Sequence, residues 1–145
     1  MNNQHVKILL ADDDPEDRSI MQIVFDELDL SADIFFVEDG TGVIEYLREV
    51  SGSTYLPDLI VLDLNMPKLS GSETLKILKT HDLYKNIPII IFSTSLNEIQ
   101  MRECMAMGAS SYVIKPNTFE ECLTTGRRFY EFSRKQYTFP ALMST

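Results

Sequence analysis

Four apolar runs in this chain end directly at residues whose side chains could bind a metal or take part in catalysis. They end at Asp12 and Asp13, at Asp63, at Ser93 and at Lys115. Three carboxylates packed together repel one another and ionise fully only beside a cation. Carboxylate oxygens suit Mg²⁺ or Mn²⁺, and Mg²⁺ keeps positions open for water or a phosphate oxygen. If these side chains converge, they predict a metal site that takes a phosphate.

The same residues fit phosphoryl transfer. A carboxylate such as that of Asp63 acts as a nucleophile when it forms an aspartyl phosphate. The Lys115 ammonium would pair with phosphoryl charge, and the Ser93 hydroxyl would donate a hydrogen bond to it. Phosphoryl transfer needs little beyond such positioning and charge neutralisation. Each residue alone also fits a polar strand-to-loop junction, so the hypothesis depends on all four positions together.

These residues converge only if the elements before them lie side by side. Apolar runs typical of strands recur between segments with helical spacing. The predicted strands cover residues 6–11, 34–37, 59–62, 89–92 and 112–114; the predicted helices begin at Pro15 or cover 41–50, 70–80, 96–107 and 119–135. This alternation predicts an α/β fold, a doubly wound five-stranded parallel sheet with helices on both faces. Ligands of such sheets bind at the carboxyl ends of the strands.

The size and charge of the chain narrow the function classes. Its 145 residues correspond to one domain, which we assign to residues 1–136, followed by a C-terminal tail at 137–145. The net charge of −9 disfavours nucleic acid and anionic membrane as partners. The acidity is concentrated, because residues 1–63 hold 15 acidic and 3 basic residues.

The apolar segments and the cysteines argue against membrane-spanning, zinc-binding and disulfide-rich classes of protein. No apolar run approaches the roughly 20 residues of a membrane span. Cys104 and Cys122 form no Cys-x-x-Cys motif, which disfavours a zinc site or a disulfide framework. We therefore expect buried thiols in a reducing, cytoplasmic compartment.

The motifs around the strand-end residues resemble the receiver domain of two-component response regulators, a bacterial signalling family. The resemblance spans about residues 5–135. It rests, in chain order, on Ile8–Pro15, Leu62–Gly71, Phe92–Thr94 and Lys115–Pro116. It implies a flavodoxin-like sheet in the strand order 2-1-3-4-5, as in chemotaxis regulators. The loop Leu62–Gly71 is also similar to that of regulators associated with phytochrome-type kinases.

For the acidic positions, the resemblance implies individual roles. Asp63 matches the phosphoacceptor, which is also a metal ligand in this family. Asp13 matches a direct ligand of the metal, Asp12 matches an acid that acts through water, and Asn65 would offer its backbone carbonyl. Three further acids match no such role, and we expect them to be solvated at a helix N-terminus. They are Asp14, Glu16 and Asp17.

The resemblance also implies a switch. Ser93 matches the hydroxyl residue that engages the phosphoryl group, and Tyr112 matches the aromatic residue that turns inward when this happens. Lys115 matches the lysine that pairs with the phosphoryl group, and Pro116 follows it at what is typically a cis bond.

These roles predict a signalling protein rather than a classical enzyme. A sensor histidine kinase or a phosphotransfer protein would phosphorylate Asp63, and the transfer would be catalysed by the receiver itself. Asn65 and Ser95 offer no acid to guide an attacking water, which predicts slow autodephosphorylation. The chain leaves no room for a DNA-binding output domain, so we expect a stand-alone receiver that signals by protein contact.

Two other functions are compatible with parts of the pattern. An aspartate-nucleophile phosphatase characteristically has a second acid two residues after the nucleophile, where this chain has Asn65. A flavin-binding electron carrier needs a phosphate-cradling first loop, and Asp12–Asp14 would repel phosphate there without a metal. Sustained turnover of phosphoesters would distinguish the first alternative from a receiver.

The last predicted helix carries a candidate partner surface. Its apolar stripe at positions 119, 122, 123, 126, 129 and 130 is predicted to face the sheet. Phe132 is then predicted to point away from the sheet. It would form an aromatic and basic patch with Arg127, Arg128, Arg134, Lys135, Tyr137 and Phe139. This patch favours a homodimer through the fourth and fifth helices, unless the tail folds back over it.

Overall fold

A computed structural model describes residues 5–52, 55–134 and 142–143 of the chain. The strands are β1 (Val6–Ala11), β2 (Ala32–Val37), β3 (Leu59–Leu62), β4 (Ile89–Ser93), β5 (Ser111–Ile114) and β6 (Leu142–Met143). The helices are α1 (Pro15–Leu28), α2 (Gly40–Val50), α3 (Gly71–Lys79), α4 (Glu98–Ala106) and α5 (Phe119–Ser133). The predicted alternation of five strands and five helices is therefore confirmed, with element ends shifted by a few residues.

All neighbouring strands pair in parallel, in the order β2-β1-β3-β4-β5-β6. The predicted order 2-1-3-4-5 is confirmed for the first five strands. The sixth strand was not predicted, because a strand of two residues is too short to carry a detectable periodicity. It lies in the segment predicted as a tail and pairs with β5, Leu142 opposite Tyr112 and Met143 opposite Val113. The rest of that segment is outside the described residues.

The pleat of the strands divides the core into two layers. Alternate side chains of a strand point to opposite faces, so each strand contributes to both layers. One layer packs under α2, α3 and α4, and its members include Leu9, Ile60, Ile91, Leu75 and Tyr112. The other packs under α1 and α5, and its members include Leu10, Val61, Phe92, Val24 and Phe129. Burial on both faces explains the continuous apolar runs of β3 and β4, whereas β2, at the edge of the sheet, is only partly buried and includes Asp33.

The buried face of α5 differs from the prediction at both ends of the helix. Phe119, predicted to face the sheet, is exposed. Phe132, predicted to point away, is partly buried and packs against the layer under α1 and α5. The reason is that α5 also lies on α1, where a Cβ at Gly126 would overlap Val24. Contact with both the sheet and α1 widens the buried face of α5 beyond a single stripe.

The helix that borders the site begins at a well-defined cap. Asp14 is the N-cap of α1, and its carboxylate accepts a hydrogen bond from the backbone N–H of Glu16 at 2.9 Å. Pro15 occupies the first helical position, where no intrahelical N–H is needed. The first turn of α1 is thereby fixed directly after β1. Among the described helices, none has the length and apolar character that crossing a membrane requires.

Candidate functional site

The sheet holds the backbone of the strand-end residues in place. Beyond the last strand residues, backbone N–H groups continue to donate to the neighbouring strand. Such bonds join Asp12 N–H to Val37 O at 3.0 Å, Asp63 N–H to Ala11 O at 3.0 Å, and Lys115 N–H to Ser93 O at 2.7 Å. The predicted site residues therefore meet at one edge of the sheet because the hydrogen-bond ladder extends through them.

Three carboxylates lie together at this edge. Oxygens of Asp12, Asp13 and Asp63 are all within 4.8 Å of one another. Asp12 is 1% exposed and Asp63 is 7% exposed, whereas Asp13 faces solvent. This set of hard oxygen ligands, with one open side, fits a Mg²⁺ or Mn²⁺ ion that keeps several waters. These are the acids that the sequence selected for the metal.

The ammonium of Lys115 is shared among carboxylates from three elements. Its Nζ donates to Asp12 Oδ2 at 2.7 Å, to Asp17 Oδ2 at 2.9 Å and to Asp63 Oδ2 at 3.2 Å. The side chain of Lys115 is only 10% exposed. The expectation that Asp17 is merely a solvated acid is wrong. Asp17 lies one helical turn after the N-cap Asp14, and this position directs its carboxylate back to the end of the sheet.

Burial and the ion pairs shift two pKa values in this cluster. Burial raises the pKa of Asp12 to about 6, although the hydrogen bond from Lys115 acts to lower it. Burial acts to lower the pKa of Lys115, but its hydrogen bonds to Asp12 and Asp17 outweigh burial and raise that pKa. Lys115 is therefore charged at neutral pH. A bound divalent cation would add positive charge to a cluster in which one ammonium faces several carboxylates, which agrees with the ligand set.

The loop after β3 packs tightly against Asp63, the predicted phosphoacceptor. The backbone N–H of Asn65 donates to Asp63 Oδ1 at 3.2 Å and holds one carboxylate oxygen. The backbone N–H of Gly71 donates to Leu64 O at 3.0 Å. A Cβ at residue 71 would overlap the backbone carbonyl of Asp63, so only glycine allows this approach. This contact explains why the motif from Leu62 to Gly71 ends in glycine.

The hydroxyls of Ser93 and Tyr112 share one acceptor. Ser93 Oγ donates to the backbone carbonyl of Ser95 at 3.1 Å, and Tyr112 Oη donates to the same oxygen at 3.1 Å. Tyr112 is fully buried. The two predicted switch residues are thus linked through the Ser95 carbonyl, a group that sequence reasoning did not single out. The described residues contain no cis peptide bond, so the cis bond expected before Pro116 is not present.

The strand pleat separates these groups into two halves. We define the charged half as Asp12, Asp17, Asp63 and Lys115, which lie on the side of α1. We define the hydroxyl half as Ser93, Ser95 and Tyr112, which lie on the side of α4. The separation follows from register, because Phe92 belongs to the layer under α1 and the next residue, Ser93, faces the other way. Lys115 lies over the Phe92 ring, with Nζ 5.7 Å from its centroid.

Comparison with known proteins agrees with this geometry. The family model described as the response regulator receiver domain matches residues 8–125. The chain belongs to this family. A curated relative, named "Probable methanogenesis regulatory protein FilR2", of Methanothrix harundinacea, is 30% identical over 126 residues. The match covers 86% of this chain and 81% of that protein. Two longer curated relatives, each named "Two-component response regulator ORR1", of Oryza sativa, are matched over 49% of their length.

Two solved receiver structures cover nearly the whole chain. The phosphorylated cyanobacterial phytochrome response regulator RcpA is 29% identical with a TM-score of 0.82, over 94% of this chain and 99% of that chain. The Mn(2+)-bound form of response regulator Rcp1 is 27% identical with a TM-score of 0.79, over 94% of this chain and 99% of that chain. The curated Rcp1 is from Synechocystis sp.. The predicted likeness to phytochrome-associated receivers is thereby confirmed.

Proposed function

We propose that this receiver accepts a phosphoryl group on Asp63, with Mg²⁺ or Mn²⁺ bound by Asp12, Asp13 and Asp63. The observation that carries the proposal is the position of the Lys115 ammonium, 3.2 Å from Asp63 Oδ2 and beside two further carboxylates. A cation and a nucleophilic carboxylate at one solvent-accessible edge are the parts that phosphoryl transfer requires. The Mn(2+)-bound relative supports the choice of metal.

The proposed step transfers a phosphoryl group from a phosphohistidine of a sensor kinase or phosphotransfer protein. An Asp63 carboxylate oxygen attacks phosphorus, the O–P bond forms as the P–N bond breaks, and the electron pair remains on the imidazole nitrogen. The bound metal would neutralise charge on the phosphoryl oxygens. Lys115 stabilises one phosphoryl oxygen, and the Asn65 N–H keeps the Asp63 side chain oriented. Asn65 would also give its backbone carbonyl to the metal.

Signalling would pass through the hydroxyl half. When the Ser93 hydroxyl donates to a phosphoryl oxygen, it leaves the Ser95 carbonyl. Tyr112 then remains as the hydroxyl donor to that carbonyl, and the segment between β4 and α4 is free to shift. This change alters the surface formed by α4, β5 and α5. A weak neutral hydrogen bond is suited to such an exchange, because breaking it costs only about 1 kcal/mol.

The surface that changes would meet another protein, either a downstream target or a second copy through α4 and α5. Ile99 in the first turn of α4 and Leu96 in the loop just before it are exposed and support contact there. The net charge of −9 favours protein over nucleic acid or membrane as a partner, and the buried thiols Cys104 and Cys122 fit a cytoplasmic location. The proposed dimer is tested by molecular mass in solution before and after phosphorylation. An unchanged monomer mass in both states contradicts it.

The phosphoacceptor is tested with acetyl phosphate and Mg²⁺, followed by intact mass. We expect the wild type to gain one phosphoryl group, Asp63→Asn to gain none, and Asp26→Asn on the exposed face of α1 to behave as the wild type. The reason is that Asp63 contacts the Lys115 ammonium and belongs to the carboxylate cluster that would hold the metal, whereas Asp26 does neither. Phosphorylation of Asp63→Asn, or sustained turnover of phosphoesters by the wild type, would contradict the proposal.

A further inference from the structure

Asp17 is the one carboxylate of the charged half that comes from a helix instead of a strand end. It occupies the third position of α1, and its side chain is 32% exposed. Its Oδ2 lies 2.9 Å from Lys115 Nζ, closer than the Asp63 oxygen at 3.2 Å. An acid that only stabilises the helix N-terminus has no need of this contact. The geometry therefore gives Asp17 a connection to the transfer site.

The hydrogen-bonding capacity of Lys115 is fully used in this arrangement. An ammonium group has three N–H donors, and Nζ has three carboxylate partners within 3.2 Å. A phosphoryl oxygen on Asp63 therefore gains a hydrogen bond from Lys115 only if another acceptor gives one up. Charge-assisted hydrogen bonds are about twice as strong as neutral ones, so this exchange has a cost.

Of the two acceptors that remain carboxylates when Asp63 is phosphorylated, Asp12 and Asp17, Asp17 gives up its bond more readily. The Asp12 carboxylate is 1% exposed, and without Lys115 it would lose its nearest cation in a site where water cannot replace it. The Asp17 carboxylate is partly exposed, so water takes over the hydrogen bond that it loses.

We propose that Asp17 is a positioning residue that competes with the phosphoryl group for the Lys115 ammonium and thereby slows phosphorylation of Asp63. This inference rests on the proposed function, since it requires Asp63 to be the phosphoacceptor. In the unphosphorylated protein, Asp17 draws the ammonium towards α1. During transfer, the bond between Asp17 and Lys115 breaks, and the freed N–H donates to a phosphoryl oxygen.

The test compares initial phosphorylation rates with acetyl phosphate at saturating Mg²⁺. Asp17→Asn removes the charge but keeps the shape of the side chain, and we expect it to raise the maximal rate constant about three- to fivefold, the upper part of the range for a partly exposed ion pair. Asp17→Glu restores the carboxylate and is expected to return the rate close to that of the wild type. Glu16→Gln removes the same charge from an exposed neighbour in the same turn and is expected to change the rate less than 1.5-fold.

A second readout separates release of Lys115 from a general loss of negative charge. Weaker repulsion of the anionic donor lowers the acetyl phosphate concentration at half-maximal rate, whereas release of Lys115 raises the maximal rate itself. We expect the Asp17→Asn effect in the maximal rate. A thermal melt of each variant confirms that the fold is retained.

Several outcomes overturn the inference. An unchanged or lower maximal rate in Asp17→Asn means that Asp17 does not compete for Lys115. An equal increase in Glu16→Gln means that the effect is only that of net charge. Failure of the wild type to become phosphorylated is a different result, because it overturns the proposed function itself, and the inference with it.

Discussion

The charged half and the hydroxyl half of the site are held by different kinds of hydrogen bond. In the charged half, Lys115 makes three charge-assisted bonds of 2.7 to 3.2 Å to carboxylates from three elements. In the hydroxyl half, Ser93 and Tyr112 donate neutral bonds of 3.1 Å to a single carbonyl. The first arrangement is costly to break, and in the proposed function it would position the transfer chemistry. The second is weak enough to exchange with the proposed phosphoryl group.

The difference also explains how each half tolerates burial. Buried charges need partners, because an unpaired one costs several kcal/mol. The charged half therefore binds its members to one another and to the sheet. Hydroxyl groups lose far less when a partner leaves, about 1 kcal/mol. Substituting one residue in each half should therefore cost more stability in the charged half than in the hydroxyl half.

The largest expected effect follows removal of the Lys115 ammonium. Lys115→Met keeps the aliphatic bulk but leaves Asp12 buried without its nearest cation, so we expect a loss of about 3 kcal/mol in unfolding free energy without Mg²⁺. Phosphorylation by acetyl phosphate should slow about 100-fold, because a preorganised donor to the phosphoryl group is lost. Chemical denaturation and intact mass measure the two effects.

The control for this change is Lys76→Met, which removes an exposed ammonium on α3. We expect it to alter both quantities only slightly. A loss of stability in Lys115→Met no larger than that of the control would remove the distinction between the halves, since Lys115 would then behave as a surface charge.

The next effect is the pH dependence of metal binding, which belongs to the charged half alone. Because burial raises the pKa of Asp12 to about 6, its proton must leave when the metal binds. We expect Mg²⁺ affinity to fall about tenfold from pH 7 to pH 5, as each pH unit below the pKa costs up to tenfold. Lys115 stays charged throughout, since its pKa is raised. Calorimetric titration at the two pH values measures the change.

The raised pKa of Asp12 also makes the stability of the metal-free protein depend on pH. The folded protein holds the Asp12 proton to higher pH than the unfolded chain does, so its stability falls as the pH rises from about 4 through 6. Asp12→Asn carries no titratable group at this position and is expected to lose this part of the pH dependence. An identical pH profile in Asp12→Asn would mean that Asp12 is not the group responsible.

The smallest effect belongs to the hydroxyl half. Tyr112→Phe and Ser93→Ala each remove one of two donors to the Ser95 carbonyl and are expected to cost about 1 kcal/mol of unfolding free energy. The double variant leaves that carbonyl without either hydroxyl donor, so its loss should exceed the sum of the single losses by about 0.5 kcal/mol. Denaturant unfolding of the wild type, the two single variants and the double variant gives this coupling energy as a double-mutant cycle. Strict additivity would show that the two hydroxyls act independently.

Much of the fold and the centre of the site could be predicted from local signals. The strands that lead to Asp12, Asp63 and Ser93 are apolar on both faces, which is the pattern of a parallel sheet covered by helices. The polar residue after each strand marks the edge where ligands bind. The cap at Asp14 and the capping box of Ser70 and Glu73 also follow from residue type and spacing.

Apart from the two-residue strand β6, the missed features depend on contacts between segments that come together only in the folded chain. Asp17 looks like any acid in a first helical turn until α1 is placed beside Lys115, 98 residues later. Phe132 points away from the sheet on a helical wheel, but the wheel contains no information about the contact of α5 with α1. The role of the Ser95 carbonyl has no sequence signal, because every residue has a backbone carbonyl.

The sequence by itself determined the order of the elements and which residue types stand at the ends of the strands, because both are encoded in short-range patterns of apolarity and turn chemistry. The tertiary structure alone decided the partners of Lys115 and the shared acceptor of Ser93 and Tyr112. The physical reason is that hydrogen bonds act over about 3 Å. Which groups come that close is set by the packing of helices on a twisted sheet, not by distance along the chain.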